Sequence, residues 1–281
     1  MKKIISGKVR EVYDLENGQL VIVTTDRISA FDVILPTEIP DKGIVLNQMS
    51  LFWFDFVKDI IPNHIISSDL KDMPKEFQKP EYEGRTILVK KLQMMNYEFI
   101  VRGYMFGSMW EAYKKGEEFC GTKFDKQYNL AEKLDEPMFT PSTKASEGHD
   151  IYVSFDQMAS DIGYELAEKI RDISINLYNK CFEYAKEHGI ILVDTKFEFG
   201  VDENGVLTIA DEIFTPDSSR FWDADEYKIG TSPKSFDKQF VRDWLKEMGI
   251  DGKEGIQPLP QDVVENTSKI YWEGLLRLKG E

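Results

Sequence analysis

The chain has 281 residues, 42% of them hydrophobic, and a formal net charge of −15. This length permits a sizeable core in one large or two ordinary domains. The negative charge argues against nucleic acid or an anionic membrane as the main partner, because clustered Lys and Arg bind both. The two cysteines, Cys120 and Cys181, lie far apart and outside any zinc-ligand spacing, which fits a reduced, cytoplasmic setting. No apolar run has the length of a secretory signal or a membrane span, so we expect neither.

The chain begins with a strand-rich region. Residues 4–13 and 19–24 are predicted to be two strands,. Gly7 interrupts the first strand, and Lys8 and Arg10 follow it with the two-residue period that places side chains on one face. This pattern is typical either of a glycine-containing turn over the phosphates of a nucleotide or of an ordinary basic edge strand.

Polar residues crowd the loop after the second strand. In the segment DRISAFD, Ser29 and Asp32 lie close to a strand end, where a rigid sheet commonly positions binding groups. The alternative is a capped turn in which both side chains bond to local backbone. Apolar residues at helical spacing then predict a packed helix over residues 46–59.

A short apolar linker follows the predicted strand over residues 85–92. We interpret this linker, residues 93–96, as a hinge between a strand-rich lobe of residues 1–92 and a mixed lobe of residues 93–281. Met94 has a thioether that adapts to a flat ring, which suits an adenine pocket. Packing in the core is the other interpretation of this methionine.

The second region begins with a candidate anion site. Arg102 ends a predicted strand, and Ser108 is predicted to be the N-cap of a helix that runs to about residue 115. Free amides at a helix N-terminus bind anions, and the arginine can reach the same anion. An N-cap that binds no ligand is the alternative. Residues 117–151 lose all periodicity and predict a long loop.

Helices dominate the remainder of the chain on either side of one hairpin. Residues 154–188 are predicted to form a single long helix with Ser154 as its N-cap, and two amphipathic helices are predicted within residues 232–249 and 259–278,. Arg242 lies on the charged face of the first of these two, which is either a solvated stripe or a group that turns towards an anionic substrate.

The hairpin between these helices carries alternating charges. Asp194, Lys196 and Glu198 share one face of a strand, and Asn204-Gly205 favours a two-residue type I′ turn,. Counting outward from that turn places Glu198 directly opposite Asp211. Opposed carboxylates lie roughly 4.5–5.5 Å apart and repel each other, so a cation is expected between them.

Oxygen ligands beside a lysine suggest that this cation is Mg²⁺ carried with a polyphosphate. A solvated acidic hairpin is the alternative, as is a slipped register in which Glu198 and Asp211 do not meet.

Several motifs together resemble one enzyme family. Their order along the chain is similar to that of SAICAR synthetases, and the likeness extends over nearly the whole sequence. The motifs are GKVREVY (7–13), DRISAFD (26–32), VRGYMFGS (101–108), VDTKFEFG (193–200), ADE (210–212) and DSSRFW (217–222).

This resemblance implies a fold and a reaction. The fold is α+β and two-lobed, related to ATP-grasp and kinase-like nucleotide folds, with ATP in the interlobe cleft. The reaction belongs to de novo purine biosynthesis. It joins the carboxylate of the ribonucleotide CAIR to the amine of L-aspartate through an acyl phosphate, and yields SAICAR, ADP and phosphate.

The resemblance also implies roles for individual residues. The ATP-binding positions are Lys8, Arg10, Lys90, Met94 and Lys196. The Mg²⁺ ligands are Glu198 and Asp211. The CAIR-binding positions are Ser29, Asp32, Arg102, Ser108 and Arg220. Asp194 is the implied general base and Lys196 meets the reacting phosphate.

Two segments depart from the family pattern. Residues 117–151 match only the longer family members, so aspartate is not assigned to Ser142, Thr143 or Lys144. Gln239 stands where many members have an arginine.

Two other functions compete with the ligase. One is an ATP-dependent kinase, or a ligase that uses another acid, and it lacks an explanation for DRISAFD and DSSR. The other is a nucleotide-binding regulatory protein without turnover. Such a protein is expected to lose Lys196, Glu198 or Asp211, and this chain has all three.

Overall fold

Two large antiparallel sheets and a two-stranded sheet, with helices on their faces, make up the computed structural model. The structure describes residues 1–31, 33–144, 150–236, 238–250 and 257–281. In chain order the strands are β1 (Lys2–Ser6), β2 (Arg10–Asp14), β3 (Gln19–Thr24), β4 (Arg27–Ala30), β5 (Val33–Glu38), β6 (Ile65–Ser67), β7 (Thr86–Lys90), β8 (Gln93–Met94), β9 (Tyr97–Tyr104), β10 (Lys133–Phe139), β11 (Ser142–Thr143), β12 (Ile190–Val201), β13 (Leu207–Ala210) and β14 (Ser219–Asp223). The helices are α1 (Lys42–Phe56), α2 (Gly107–Lys115), α3 (Phe155–Ile162), α4 (Tyr164–Glu187), α5 (Gln239–Glu247) and α6 (Gln261–Lys279). The predicted mixture of helix and sheet is confirmed.

The long strand β12 is the centre of the larger sheet. That sheet has seven strands in the order β10-β9-β12-β13, and β8 and β14 also pair with β12. Phe197 and Phe199 on one face of β12 are fully buried in the main core. Asp194, Lys196 and Glu198 therefore share the opposite face, because successive side chains alternate along a strand.

The smaller sheet has five strands in the order β1-β2-β3-β7-β6. The prediction of one strand over residues 4–13 is wrong, because the chain reverses at residues 7–9 and β1 pairs with β2. The Gly7 amide donates to the Arg10 carbonyl over 2.8 Å and closes this turn. Lys8 consequently lies in the turn, and Arg10 begins the next strand.

A short backbone segment joins the two sheets. The Ile209 amide in β13 donates to the Pro62 carbonyl at 3.0 Å, and the His64 amide donates to the Ile209 carbonyl at 3.1 Å. The Lys90 amide at the end of β7 donates to the His64 carbonyl at 2.8 Å. Residues 62–64 therefore fix β13 against β7 through backbone hydrogen bonds alone.

Two predictions in the middle of the chain are wrong. The helix predicted over residues 154–188 is two helices, because Gly163 has φ 92° between α3 and α4, a conformation open mainly to glycine. Ser154 is nonetheless confirmed as an N-cap and forms a capping box with Gln157,. The loop predicted over residues 117–151 contains β10 and β11, which both pair with β9.

Helices cover the larger sheet and also receive β4 and β5. α1 and α4 contribute Trp53, Leu177 and other buried residues to the main core under β12. A second cluster joins Ile28 and Leu35, from β4 and β5, to Val241 and other residues of α5 and α6. In the part of the chain that the structure describes, no helix is both long and apolar enough to span a bilayer.

Gly103 is required where α4 crosses β9. A Cβ at this position would lie 1.9 Å from the Tyr178 hydroxyl oxygen and 2.8 Å from its Cζ. We expect Gly103→Ala to lower the free energy of unfolding by about 2 kcal/mol or more, because the ring must leave its place. Urea denaturation measures this loss.

Tyr178→Phe is the matched control for Gly103→Ala. It removes the hydroxyl that donates to the Leu192 carbonyl at 2.6 Å and should itself cost about 1 kcal/mol. In the double variant the closest clash is gone, so the combined loss should be smaller than the sum of the two losses. If the two losses of free energy add strictly, the contact between residue 103 and Tyr178 does not limit the packing of α4 on β9.

Candidate active site

The register of the β12–β13 hairpin differs from the prediction by one residue. Glu198 pairs with Ala210 and not with Asp211. The connection is a five-residue loop, residues 202–206, in which the Asp202 carboxylate accepts hydrogen bonds from the Asn204 and Val206 amides. Only Gly205 of the predicted type I′ pair has a positive φ, so that turn type is wrong. The Asp202 side chain supplies the local bonds that set the longer loop.

Glu198 and Asp211 still meet, at the ammonium group of Lys196. The Lys196 Nζ lies 2.7 Å from Glu198 Oε1 and 3.6 Å from Asp211 Oδ2. Asp211 reaches this point because it follows β13 with φ 61°, which turns it back from the strand direction. Burial disfavours the charged lysine, but the surrounding carboxylates outweigh burial and raise the pKa of Lys196 well above its usual value,.

The smaller sheet contributes a second cation to this cluster. The Arg10 guanidinium, from β2, lies 3.0 Å from Asp211 Oδ1 and also pairs with Glu212. Burial raises the pKa of Asp211, but Arg10 and Lys196 outweigh it and hold that pKa below its ordinary value,. The cluster therefore joins the two sheets by charge pairs.

The glycine-containing turn before Arg10 is held by Arg27. Its guanidinium donates to the Gly7 carbonyl at 3.0 Å and to the Lys8 carbonyl at 3.3 Å. The same group pairs with Glu11 on β2 at 3.2 Å. These bonds fix the backbone of the turn that carries Lys8 at the edge of the five-stranded sheet.

Two arginines flank Asp194 at the other end of β12. Arg102 on β9 and Arg220 on β14 are its direct cross-strand partners. Arg102 NH1 donates to Asp194 Oδ2 at 3.4 Å, and Arg220 NH1 donates to the same oxygen. The sheet register thus brings together three residues that are far apart in the sequence.

Arg102 has a buried and fully organised environment. Its side chain is 3% exposed, and its Nε donates to Thr140 Oγ1 at 3.0 Å. Its NH2 donates to Tyr152 Oη at 3.1 Å and to Ser108 Oγ at 3.3 Å. Ser108 is not the N-cap of α2, because the helix begins at Gly107. Ser108 nevertheless lies beside Arg102, and the shared anion site remains a prediction.

A cavity of about 170 Å³ connects these groups. It is lined by Arg102, Asp194, Lys196, Arg220 and Arg242, among others. A larger cleft of about 670 Å³, bounded by Phe106, Trp110 and Lys246, shares Arg220 and Arg242 with it. Cations dominate this end of an otherwise acidic protein, which suits an anionic ligand.

The cavity of about 170 Å³ is also lined by Asp217 and Lys238, which belong to an ion cluster that was not predicted from the sequence. Lys42 is fully buried, and its Nζ donates to Asp217 Oδ2 at 2.6 Å. Lys238 lies 3.5 Å from Asp217 Oδ1. Burial raises the pKa of Asp217, but the two lysines outweigh it and hold that pKa well below its usual range. Asp217 is the first residue of the DSSR motif, and that motif was the sequence feature that could have revealed this cluster.

Glu98 is a second residue that sequence reasoning missed. It lies on β9 with Oε1 3.4 Å from Lys196 Nζ. Burial raises its pKa, although Lys196 acts in the opposite direction. The alternation of side chains along the predicted strand could have revealed it, because Glu98 and Arg102 share one face of that strand.

The remaining predicted residues occupy other places. Ser29 is buried in β4, in the two-stranded sheet with β5, and Asp32 lies outside the described residues. Met94 is 40% exposed and pairs with Gly200 through β8. Lys90 lines a separate hollow of about 760 Å³ beside the β12–β13 loop. Within the described residues, no hydrogen bond or ion pair joins Ser29, Met94 or Lys90 to Lys196, Glu198 or Asp211.

The carboxylates beside Lys196 suit a divalent metal held jointly with a ligand. Among the described residues, no group of three or more His, Cys, Asp or Glu side chains is placed to enclose a metal. Carboxylate oxygens of Glu198 and Asp211 converge on one position, which the Lys196 Nζ occupies in this structure. Mg²⁺ commonly takes one or two carboxylates and completes its shell with phosphate and water. The pair therefore fits Mg²⁺.

Comparison with known proteins identifies the family. The model of the SAICAR synthetase family matches residues 3–259. The chain belongs to the SAICAR synthetase family. Its membership makes it an enzyme, a ligase of purine biosynthesis.

Relatives of known sequence and structure match over almost the full length. A phosphoribosylaminoimidazole-succinocarboxamide synthase from Chromobacterium violaceum is 48% identical, over 100% of this chain and 99% of that protein. The SAICAR synthase of Saccharomyces cerevisiae, solved in complex with SAICAR, has a TM-score of 0.91 and 41% identity, over 99% of this chain and 95% of the other. A type-2 SAICAR synthetase in complex with ADP has a TM-score of 0.72 and 25% identity, over 99% and 98%.

A pH-dependent contribution to stability is expected from Glu11 in this SAICAR synthetase family member. Hydrogen bonds from Lys3, Tyr13 and Arg27 outweigh partial burial and lower the pKa of Glu11 to about 2. A depressed carboxyl pKa stabilises the fold above the unfolded pKa, and this stabilisation is lost as pH falls towards the folded pKa. Because Lys3 is partly exposed and solvent screens the pair,, the free energy of unfolding of wild type should exceed that of Glu11→Gln by only about 2 kcal/mol at pH 6. This difference should close between about pH 4.5 and 2,.

Chemical denaturation across this pH range measures the gap. Glu168→Gln, at an exposed position on α4, is the control, and its difference from wild type should stay nearly constant with pH. If the difference in free energy of unfolding between wild type and Glu11→Gln were equally large at pH 6 and pH 3, the ion-pair explanation would be contradicted.

Proposed function

We propose that this enzyme joins CAIR to L-aspartate at the expense of ATP and forms SAICAR, ADP and phosphate. The observation that carries the proposal is the arrangement along one face of β12. A carboxylate pair with Lys196 lies at one end, and Asp194 between Arg102 and Arg220 lies at the other. Family membership and the relatives solved with SAICAR and with ADP support it.

ATP is proposed to bind between a lobe of residues 1–92 and a lobe of residues 93–281. Lys8 and Arg10 on the N-terminal side, and Lys196 on the other, meet the phosphates. Lys90 and Met94 are assigned to the adenine end. The fixed backbone of the turn at residues 7–9 supports this placement, since successive amides in a tight turn favour an anion.

Glu198 and Asp211 are proposed to hold Mg²⁺ together with the ATP phosphates. The bound ion would neutralise phosphate charge and orient the transferred group. In the structure Lys196, Arg10 and Lys144 lie against these two carboxylates. These cationic side chains balance the negative charge of the two carboxylates here. We propose that Mg²⁺ shares that role when ATP is bound.

CAIR is proposed to bind through Arg102, Ser108 and Arg220, with Ser29 and Asp32 assigned from the family likeness. Guanidinium groups present paired N–H donors that match phosphate and carboxylate oxygens. Two such groups converge on Asp194 Oδ2, so an anionic substrate competes with Asp194 for the same donors. Because the chain as a whole is acidic, this cationic surface is a local exception that attracts anionic substrates.

The chemistry requires activation of a poor electrophile. A carboxylate resists attack until ATP converts it to an acyl phosphate, and the attack of one anion on another requires cations around both. Lys8 and Lys196 are proposed to neutralise the transferred phosphate. Asp194 is proposed to accept the proton of the aspartate amine, and the substrate anion is proposed to take the Arg102 and Arg220 donors that Asp194 Oδ2 accepts from in this structure,.

An omission assay tests the reaction. ADP release is measured with ATP, Mg²⁺, CAIR and L-aspartate, leaving out one component at a time, and the product is confirmed by mass. We expect release only when all four are present. Release without aspartate would mean that the amine substrate is misassigned, and ATP binding without release would favour a regulatory protein.

Asp211→Asn tests the metal assignment. Removal of one carboxylate should lower kcat at saturating ATP by at least about a hundredfold, because the phosphate charge is no longer neutralised correctly. Glu203→Gln, in the loop of the same hairpin, is the matched control and should keep wild-type kcat. Near-normal turnover of Asp211→Asn with an unchanged Mg²⁺ requirement would refute the assignment.

A further inference from the structure

Tyr152 is a side chain beside Arg102 that neither the motifs nor the proposed roles include. It lines the 170 Å³ cavity together with Arg102 and Arg220. Its ring is near Phe119, with centroids 4.8 Å apart. The Arg102 guanidinium carbon lies 5.4 Å from the Tyr152 ring and 5.3 Å from the Phe119 ring. The two rings therefore cover one side of Arg102.

The Tyr152 hydroxyl is part of the donor network. Its oxygen accepts a hydrogen bond from Arg102 NH2 at 3.1 Å and one from Ser108 Oγ at 2.9 Å. Neither bond uses the phenolic hydrogen, because a hydroxyl carries one donor and two acceptor positions. Among the described residues no acceptor is found for that hydrogen, so it can be donated to a third partner at the cavity.

The backbone around Tyr152 is fixed by residues 141–143. The Thr143 amide donates to the Ile151 carbonyl at 2.9 Å, and the Val153 amide donates to the Pro141 carbonyl at 3.0 Å. Ser142 in turn pairs with Glu98 on β9. The tyrosine is thus placed by the same strand that carries Arg102, although its ring is 39% exposed.

We propose that Tyr152 is an anion-binding residue, whose hydroxyl donates to the nucleotide substrate held by Arg102 and Ser108. The inference rests on the proposed function, since it assigns an anionic nucleotide to this site. A neutral donor that also accepts from both neighbours sets their directions before the substrate arrives. The ring limits the access of water to Arg102 and so strengthens its charge interaction.

Steady-state kinetics with CAIR varied at saturating ATP and L-aspartate test the proposal. Loss of a hydrogen bond to a charged ligand should raise the KM for CAIR about tenfold or more in Tyr152→Phe. The kcat should change by less than about threefold, and the KM values for ATP and L-aspartate should stay unchanged. Tyr152→Leu, which also removes the ring, should raise the KM for CAIR further.

Tyr164→Phe is the matched control, since Tyr164 is an exposed tyrosine at the start of α4. It should behave as wild type. The thermal midpoint of each variant is also measured with and without CAIR alone. Wild type should be stabilised by CAIR, and Tyr152→Phe should need a correspondingly higher concentration for the same shift.

The outcomes separate the two proposals. Wild type that neither turns over nor is stabilised by CAIR would overturn the proposed function. Wild type that behaves as proposed, beside a Tyr152→Phe variant with an unchanged KM for CAIR, would overturn the inference alone. A variant with a lower thermal midpoint and all three KM values raised equally would assign Tyr152 to the fold, which also overturns it.

Discussion

The direct pairing of Asp194 with an arginine on each side is the constraint on which the site depends. β9 and β14 flank β12 in the register that sets Arg102 and Arg220 opposite this one carboxylate. A shift of one residue in either pairing would turn an arginine into the core, because side chains alternate between faces. The buried Phe99 and Val101 on β9 and Phe221 on β14 exclude that shift, because it would turn them out of the core.

A second set of charges connects the two sheets. Arg10 arrives from β2, and Lys196 and Asp211 come from the β12–β13 hairpin. Removing one member of this partly buried set leaves the others uncompensated and should destabilise the sheet junction,. The backbone bonds at residues 62–64 hold the same two sheets without charge. These backbone bonds thus join the sheets independently of the charges that are proposed to meet the ATP phosphates.

The described part of the 117–151 segment places side chains at both ends of the site. Thr140 supports Arg102, and Lys144 pairs with Glu198. Tyr152, just beyond it, reaches Arg102 and Ser108. These side chains reach the site because β10 and β11 pair with β9, the strand that carries Arg102. The departure from shorter family members therefore lies at the site and not at a remote surface.

Local patterns determined much of the architecture. Alternation along residues 193–199 gave the charged face of β12 and the buried Phe197 and Phe199, since a strand has a period of two. Ser154 gave a helix start through its capping chemistry. The family motifs named Arg102, Lys196 and Arg220, and the structure places these three around one cavity.

Pairing between distant segments was decided only by the tertiary structure. The hairpin count failed by one residue because the Asp202 side chain sets a longer loop than Asn204-Gly205 favours alone. Asp211 nevertheless reaches Lys196 through a positive φ that no local pattern indicates. Lys42, Asp217 and Tyr152 join the site through packing of α1, the DSSR loop and residues 150–153. Sequence by itself determined which face of β12 carries charge, and only the folded sheets decided which charges meet, because pairing partners come from segments far apart in the chain.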